Sequence, residues 1–235
     1  VRDYYLSSFL NQTLPGGVAG DAVRAVRRRG PEAGGWKVPA LAVAMERASG
    51  QGVFAGLAGA GLIIWPLYGF GELPSDVSRL LTGIAVVAGC LGASILLLLT
   101  FPPKALYRRI SSLKRAIRTA FVDDGAWRVQ SVLSLMVVGS YLGLYMLASA
   151  AVGAPLPYLA AITVIPLCLL MMLVPATVAG WGAREAAAAL LWPLFGYSSS
   201  DGVAASIFYG ALLLVGAVPG LAVAIHMLLS DRRAR

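Results

Sequence analysis

Charged residues are scarce in this sequence, and their scarcity excludes most soluble folds. Of 235 residues, 19 are Lys or Arg and 11 are Asp or Glu, so 13% are charged while 58% are hydrophobic. An average soluble domain carries about 25% charged residues. A soluble fold of this size could not hide so much apolar surface. The composition therefore predicts an all-α integral membrane protein, built as a polytopic helical bundle.

Histidine and cysteine are also rare, which leaves few residues for catalysis or metal binding. The sequence has one histidine, His226, and two cysteines, Cys90 and Cys168, all within apolar segments. Such positions favour packed side chains over ligands. We therefore expect no metal site, no cofactor and no catalytic residue. A membrane-embedded lipid-phosphate transferase stays open as the least favoured alternative.

Four charge-free runs are long enough to cross a bilayer, for which about 20 apolar residues suffice. The runs are 48–71, 80–103, 129–183 and 202–230, and the third is interrupted at 153–157. Five spans fit into them: helix A at 52–70, B at 80–101, C at 129–152, D at 156–174 and E at 203–229. We expect residues 1–235 to form a single multi-pass transmembrane domain.

Basic residues lie almost entirely in segments that alternate crossings would place on one side of the membrane. Sixteen of the 19 fall in 24–47, 104–128 and 232–235. The positive-inside rule makes these two loops and the C-terminus cytoplasmic. No basic groove with interleaved aromatics is apparent in these segments, so no nucleic acid is expected as a partner. Arg outnumbers Lys 16 to 3, a composition that points to a bacterial cell (inner) membrane.

The segment 104–121 has the pattern of an amphipathic basic helix. Apolar residues recur at spacings of three and four, and six basic residues occupy the other faces. The apolar positions are Leu106, Ile110, Leu113, Ile117 and Phe121. This pattern predicts a helix that lies on anionic inner-leaflet lipid. A helix docked on the protein's own surface is the equal alternative.

An internal repeat breaks the chain twice at Pro and Gly. The segment PGGVAGDAVR at 15–24 aligns without gaps on PATVAGWGAR at 175–184, with five of ten positions identical. In each copy an apolar segment breaks, and a short helix that carries an arginine follows. The topology gives the two copies opposite directions. We therefore predict inverted repeats with two re-entrant helical hairpins, at about 4–29 and 175–196, of the kind that builds substrate sites at the bilayer midplane.

The repeated arginines need partners, because a charge at the bilayer centre costs about 2.5–3.5 kcal/mol on insertion scales. Asp21 lies three residues before Arg24, and Glu185 adjoins Arg184. Helix N-termini at the breaks would offer unpaired N–H groups to an anion. A lipid phosphate is a further candidate partner, since guanidinium binds it bidentately. Alternatively, the ions simply clamp the two hairpins together.

Two further patterns concern the helices themselves. Glu46 and Arg47 are expected just before helix A, either as an interfacial anchor or facing the same cavity. Glycine pairs spaced four apart occur at 52/56, 139/143 and 216/220 and predict close helix packing.

Three segments, taken in order, resemble the lysylphosphatidylglycerol synthase transmembrane family: NQTLPGGVAGDAVR at 11–24, Glu46-Arg47, and PATVAGWGARE at 175–185. The resemblance covers nearly the whole chain and implies a flippase-like domain, which in the synthases moves a lipid made by a separate soluble domain. It implies lipid-binding roles for Asn11, Pro15, Gly20, Asp21, Arg24, Glu46, Arg47, Gly180, Gly182, Arg184 and Glu185. The break residues Gly16, Gly17 and Pro175 complete the candidate set. Ala176 and Thr177 stand where the first copy has two glycines, so the halves are chemically unequal.

These observations lead to one favoured function and one main alternative. The favoured function is a flippase or transport module for an anionic or phosphate-bearing lipid, of the aminoacyl-phospholipid or polyprenyl-phosphate type. The headgroup would lie between the two arginine-bearing hairpins. The alternative is a non-catalytic lipid-binding scaffold for a partner synthase or glycosyltransferase.

Overall fold

The chain is helical throughout the part that the structure describes. This computed structural model describes residues 2–14, 17–27, 37–65, 125–173 and 177–233, with scattered positions between 75 and 111. Its helices are α1 Arg2–Thr13, α2 Ala19–Arg27, α3 Lys37–Ile64, α4 Ala126–Ala151, α5 Tyr158–Ile162, α6 Val164–Leu170, α7 Ala183–Leu191 and α8 Ser199–Arg233. Short 3-10 turns follow α6 at Met171–Leu173 and α7 at Trp192–Phe195. The expected all-α class is confirmed for these residues.

The chain divides into two compact units. The first comprises Val1–Gly69 and Ser134–Arg235, and it contains all eight helices except the beginning of α4. The second comprises Phe70–Leu133. Predicted helix B and the amphipathic helix 104–121 belong to this second unit and lie almost wholly outside the described residues. All candidate site residues lie in the first unit.

Within the described part of the chain, two helices are long and apolar enough to cross a membrane, at Trp127–Ala151 in α4 and Ser199–Met227 in α8. They occupy the places predicted for helices C and E. Both expose large apolar side chains, including Leu135 and Met136 on α4 and Val215 and Val218 on α8. A soluble protein would bury such a stripe, whereas a bilayer solvates it.

Local sequence signals set the ends of these helices. At the end of α4, Gly153 has a φ of +86°, the Gly153 N–H donates to Ala150 O, and the Ala154 N–H donates to Ser149 O. This pair of bonds is a Schellman motif. At the start of α8, Ser198 and Asp201 each accept a hydrogen bond from the other's backbone N–H, which forms a capping box.

Predicted helix A has a different start in the structure. The helix begins at Lys37 rather than Gly52, and Pro39 lies in its first turn, where a missing N–H costs nothing. Glu46 and Arg47 therefore lie inside α3, not before it. The last predicted residues, 66–70, are outside the described part. The charged side chains of Glu46 and Arg47 are accommodated within this helix because each forms an ion pair with a residue of α2.

Predicted helix D is not continuous. Thr163 leaves the helical region, with φ −120° and ψ −86°, and separates α5 from α6. Pro166 cannot donate to the carbonyl of Ile162, so the helical ladder is broken there. That carbonyl lies against Gly61 of α3, where an added methyl group would be 2.2 Å from Ile162 O. The break thus lets α3 pack closely on this segment.

Glycines mark the closest helix crossings, but mostly not the predicted ones. Added methyl groups would meet backbone carbonyl oxygens at Gly220, 2.1 Å from Tyr5 O on α1, and at Gly202, 2.4 Å from Ala188 O on α7. In contrast, among the described residues nothing lies within 4 Å of a methyl group added to the other five members of the predicted pairs: Gly52, Gly56, Gly139, Gly143 and Gly216. Within this part of the chain, a four-residue spacing alone therefore does not identify the close crossings.

Candidate functional site

Four charged side chains, which we call the charge quartet, join α2 to α3. Asp21 and Arg24 lie on α2, and Glu46 and Arg47 are neighbours on α3. Arg24 Nη2 donates to Glu46 Oε2 at 2.5 Å, and Nη1 faces Oε1 at 3.5 Å. Arg47 Nε donates to Asp21 Oδ2. The two acids and two bases neutralise one another.

This arrangement corrects the pairing suggested by the sequence. The sequence suggests an ion pair between Asp21 and Arg24 within α2, but each of them pairs instead with a residue of α3. An ion pair between residues three apart on one helix is worth only about 0.2–0.5 kcal/mol. Crossed pairing leaves no charge of the quartet unmatched and also ties two helices together.

The first helix of the hairpin contributes polar contacts to the quartet. Ser7 Oγ donates to the other oxygen of Asp21, Oδ1, at 3.0 Å. A methyl group on Gly20 would lie 2.0 Å from Ser7 O, so α1 and α2 touch through their backbones. Asp3 and Arg27 form an ion pair of 3.2 Å further along. These contacts define α1 and α2 as an antiparallel hairpin.

Exposure divides the quartet by helix. The side chains of Asp21 and Arg24 on α2 are each 13% exposed, whereas those of Glu46 and Arg47 on α3 are 43% and 37% exposed. Arg24 Nε is buried without a hydrogen-bond partner. The α3 partners can therefore be reached from outside, while the α2 partners lie beneath them.

A second cluster surrounds Arg184 at the start of α7. The Arg184 side chain is 1% exposed. Nε donates to Ser206 Oγ at 2.8 Å, and Nη2 donates to Glu185 Oε1 at 2.9 Å and to Ser206 O at 3.2 Å. Ser206 Oγ in turn donates to the same Glu185 oxygen at 2.8 Å. The Arg184–Glu185 pair expected from the sequence is present, with Ser206 of α8 as an additional partner.

Aromatic rings enclose this arginine. Its guanidinium carbon lies 5.4 Å from the ring centre of Trp181 and 5.1 Å from that of Tyr209, within cation–π range. Tyr145 of α4 stacks on Tyr209 with ring centres 4.6 Å apart. A methyl group on Gly210 would lie 2.5 Å from Arg184 Nη2. The arginine is therefore held on several sides at once.

The helix N-termini at the two breaks are already occupied by side chains. Gly20 N–H in the first turn of α2 donates to Asn11 Oδ1 at 2.8 Å. Gly182 N–H, just before α7, donates to Glu185 Oε2. The expectation of unpaired N–H groups waiting for an anion is therefore wrong for these two groups. In this structure the arginines, rather than these two N–H groups, are the groups that suit an anion.

The two clusters match in register. Arg24 bonds to a residue 22 positions later, Glu46, and Arg184 bonds to a residue 22 positions later, Ser206. Arg184 follows Arg24 by 160 residues, and Ser206 follows Glu46 by 160 residues, which is the offset that relates the repeated segments. Sequence reasoning missed Ser206, although extending the repeat by that offset would have pointed to it.

The structure thus brings most predicted site residues into two groups. Asn11, Gly17 and Gly20 join the quartet in the first group, where Arg47 Nη2 also donates to Gly17 O. Gly180, Gly182, Arg184 and Glu185 form the second group with Ser206. Pro15, Gly16 and Pro175 are outside the described residues.

An all-helical chain with lipid-compatible helix faces and buried, paired arginines defines a class, the polytopic helical membrane proteins. The particular family follows from a match of residues 1–220 to the family described as "Lysylphosphatidylglycerol synthase TM region". The chain belongs to this family, as the sequence motifs indicated. No curated protein and no solved structure matches the chain.

Proposed function

We propose that this protein is a lipid transport module of the flippase type, acting on an anionic or phosphate-bearing lipid. The observation that carries the proposal is the charge quartet, which brings together two guanidinium groups, the mostly buried Arg24 on α2 and the partly exposed Arg47 on α3. Guanidinium forms two parallel hydrogen bonds to phosphate, so these groups suit a phospholipid or polyprenyl-phosphate headgroup. The acyl chains would stay in the bilayer beside the apolar helix faces.

The packing of the helices supports the inverted-repeat part of the proposal. If α1–α2–α3 corresponds to α6–α7–α8, the third helix of each half packs on the first helix of the other. Gly220 meets Tyr5 O in one such contact, and Gly61 meets Ile162 O, just before α6, in the other. A pseudo-two-fold axis that relates the two halves would give this reciprocal pattern. Such an architecture places a substrate site between the halves.

A leaflet-exchange assay tests the transport proposal. The full chain is reconstituted in liposomes with a fluorescent anionic phospholipid, and dithionite quenching measures how fast the label reaches the outer leaflet. The informative variant is Arg24→Gln with Glu46→Gln, which removes one ion pair without leaving an unpaired charge. We expect the wild type to accelerate exchange and the double variant to lose most of that acceleration.

Ser140→Ala is the matched control, because Ser140 is exposed on α4 and, among the contacts of the described residues, its hydroxyl bonds only to Met136 O of the same helix. We expect its rate to equal that of the wild type. Exchange no faster than in empty liposomes would exclude transport of the tested phospholipid. A polyprenyl-phosphate substrate, or the scaffold role beside a synthase or glycosyltransferase, would then be the next proposal to test.

A further inference from the structure

The two arginines of the repeat occupy equivalent positions but have different surroundings. Arg184 is almost completely enclosed, with Ser206, Glu185 and two aromatic rings around it. Arg24 has a single side-chain partner among the described contacts, Glu46, whose carboxylate is 43% exposed. An anion from outside can therefore approach Arg24 and not Arg184, unless the second hairpin opens.

The geometry also shows which contact such an anion must replace. Both Nη atoms of Arg24 face the Glu46 carboxylate, and Nε is buried. With Nε buried, the two Nη atoms are the donors left for an anion, and Glu46 covers both of them. Asp21 is a poor candidate for displacement, because it is mostly buried and accepts hydrogen bonds from both Ser7 and Arg47.

We propose that Glu46 is a displaceable counter-ion: a phosphate group binds Arg24 in its place, and Glu46 turns toward solvent. The Arg184 cluster keeps the second hairpin folded and does not bind the phosphate. This inference deepens the proposed function and depends on it only for the source of the phosphate, a lipid headgroup. The residue at position 46 thereby sets the affinity of Arg24 for anions. Ser206, at the equivalent position of the second repeat, instead holds Arg184 in place by hydrogen bonds.

Charge accounts for the expected effect of substitutions. With Glu46 present, the quartet is neutral, so a bound phosphate adds a net negative charge beside a displaced carboxylate. Glu46→Gln leaves a net positive quartet of the same shape. Since a partly exposed ion pair is worth about 0.2–1 kcal/mol, its removal should strengthen phosphate binding roughly 1.4- to fivefold. Loss of the guanidinium in Arg24→Gln should weaken it about tenfold, because hydrogen bonds to charged groups are the stronger class.

The test measures equilibrium binding to the full chain in a neutral detergent, by native mass spectrometry. Dioctanoyl phosphatidylglycerol is the main probe, dioctanoylglycerol is the probe without phosphate, and inorganic phosphate is the probe without a lipid. The variants are Glu46→Gln, Arg24→Gln, the combination of both, and Ser206→Ala. The combined variant keeps the quartet neutral should Arg24→Gln alone fail to fold.

We expect Glu46→Gln to bind phosphatidylglycerol more tightly and the combined variant to bind it more weakly than the wild type. Ser206→Ala should lower the thermal unfolding midpoint and leave lipid affinity within about twofold, since the hydroxyl it removes holds a buried cluster. If inorganic phosphate binds and its affinities rank the variants in the same order, the phosphate site is supported and its ligand is a free anion rather than a lipid headgroup. Equal binding of dioctanoylglycerol, or unchanged affinity in Glu46→Gln, would overturn the inference.

These outcomes separate the inference from the proposed function. Tighter binding in Glu46→Gln together with no leaflet exchange by the wild type would keep the counter-ion role and remove transport. Leaflet exchange by the wild type with no binding change in Glu46→Gln would keep transport and remove the counter-ion role.

Discussion

Arg184 carries its charge into a part of the protein that is closed to solvent. A buried charge is tolerated when its hydrogen-bond donors are used and an opposite charge is near. Ser206 and Glu185 meet both conditions, and Trp181 and Tyr209 add cation–π contacts. At the scale of the residue, the second hairpin depends on this one side chain.

Replacing Arg184 by leucine should therefore destabilise the protein by about 3 kcal/mol, because removing one member of a buried pair leaves the other uncompensated. Unfolding by SDS titration in mixed micelles measures the change. Arg27→Leu is the control, since Arg27 and its partner Asp3 are 41% and 37% exposed. Its cost should stay below about 1 kcal/mol. Equal losses in the two variants would contradict the structural role given to Arg184.

At the scale of the element, helix crossings depend on carbonyl oxygens that approach glycine. Gly220 of α8 meets Tyr5 O of α1, and Gly61 of α3 meets Ile162 O, just before α6. Small residues are needed there because backbones in membrane proteins associate by close packing. The two crossings hold helices together that are distant in the sequence.

Gly220→Ala should cost roughly 1–3 kcal/mol, because the added methyl group would lie 2.1 Å from Tyr5 O and must push α1 away. In Gly216→Ala, one turn earlier on the same helix, none of the described residues lies within 4 Å of the added methyl group. That variant should be neutral or gain up to about 1 kcal/mol from helix propensity. The same SDS titration compares the two, and a neutral Gly220→Ala would show that α1 and α8 do not pack as described.

At the scale of the whole molecule, orientation in the membrane follows from charge. We propose that the basic segments 24–47 and 104–128 and the C-terminal tail are cytoplasmic, in a bacterial inner membrane, with 153–157 outside. The arrangement would expose the basic residues near 104–121 to anionic inner-leaflet lipid.

Reporter fusions test this orientation in living bacteria. Green fluorescent protein fused after Arg235 should fluoresce, because it folds in the cytoplasm. Alkaline phosphatase fused after Gly153 should be active, because it requires the oxidising compartment outside the inner membrane. Exchanging the two reporters serves as the control and should silence both. Active phosphatase after Arg235 would reverse the proposed topology.

The sequence predicted which residues take part in the two clusters, but not which of them pair with one another. The motifs singled out Arg24, Glu46, Arg184 and Glu185, all of which take part in the two clusters. Their partners could not be assigned, because Arg24 and Glu46 lie 22 residues apart and meet only after α2 packs on α3. Ser206 was not predicted, because serine in an apolar helix is unremarkable by itself and its one signal in the sequence is the 160-residue offset from Glu46.

The sequence by itself determined the class of protein, the family and the positions of the apolar helices C and E, because hydropathy and charge are local properties to which a bilayer responds directly. It also predicted that the chain is interrupted before α2 and before α7. Only the tertiary structure decided that Asp21 pairs with Arg47, that helix D breaks at Thr163 and that Gly20 and Gly182 have occupied N–H groups. These facts arise where helices distant in sequence meet, and the energy of such contacts depends on distance in space rather than along the chain.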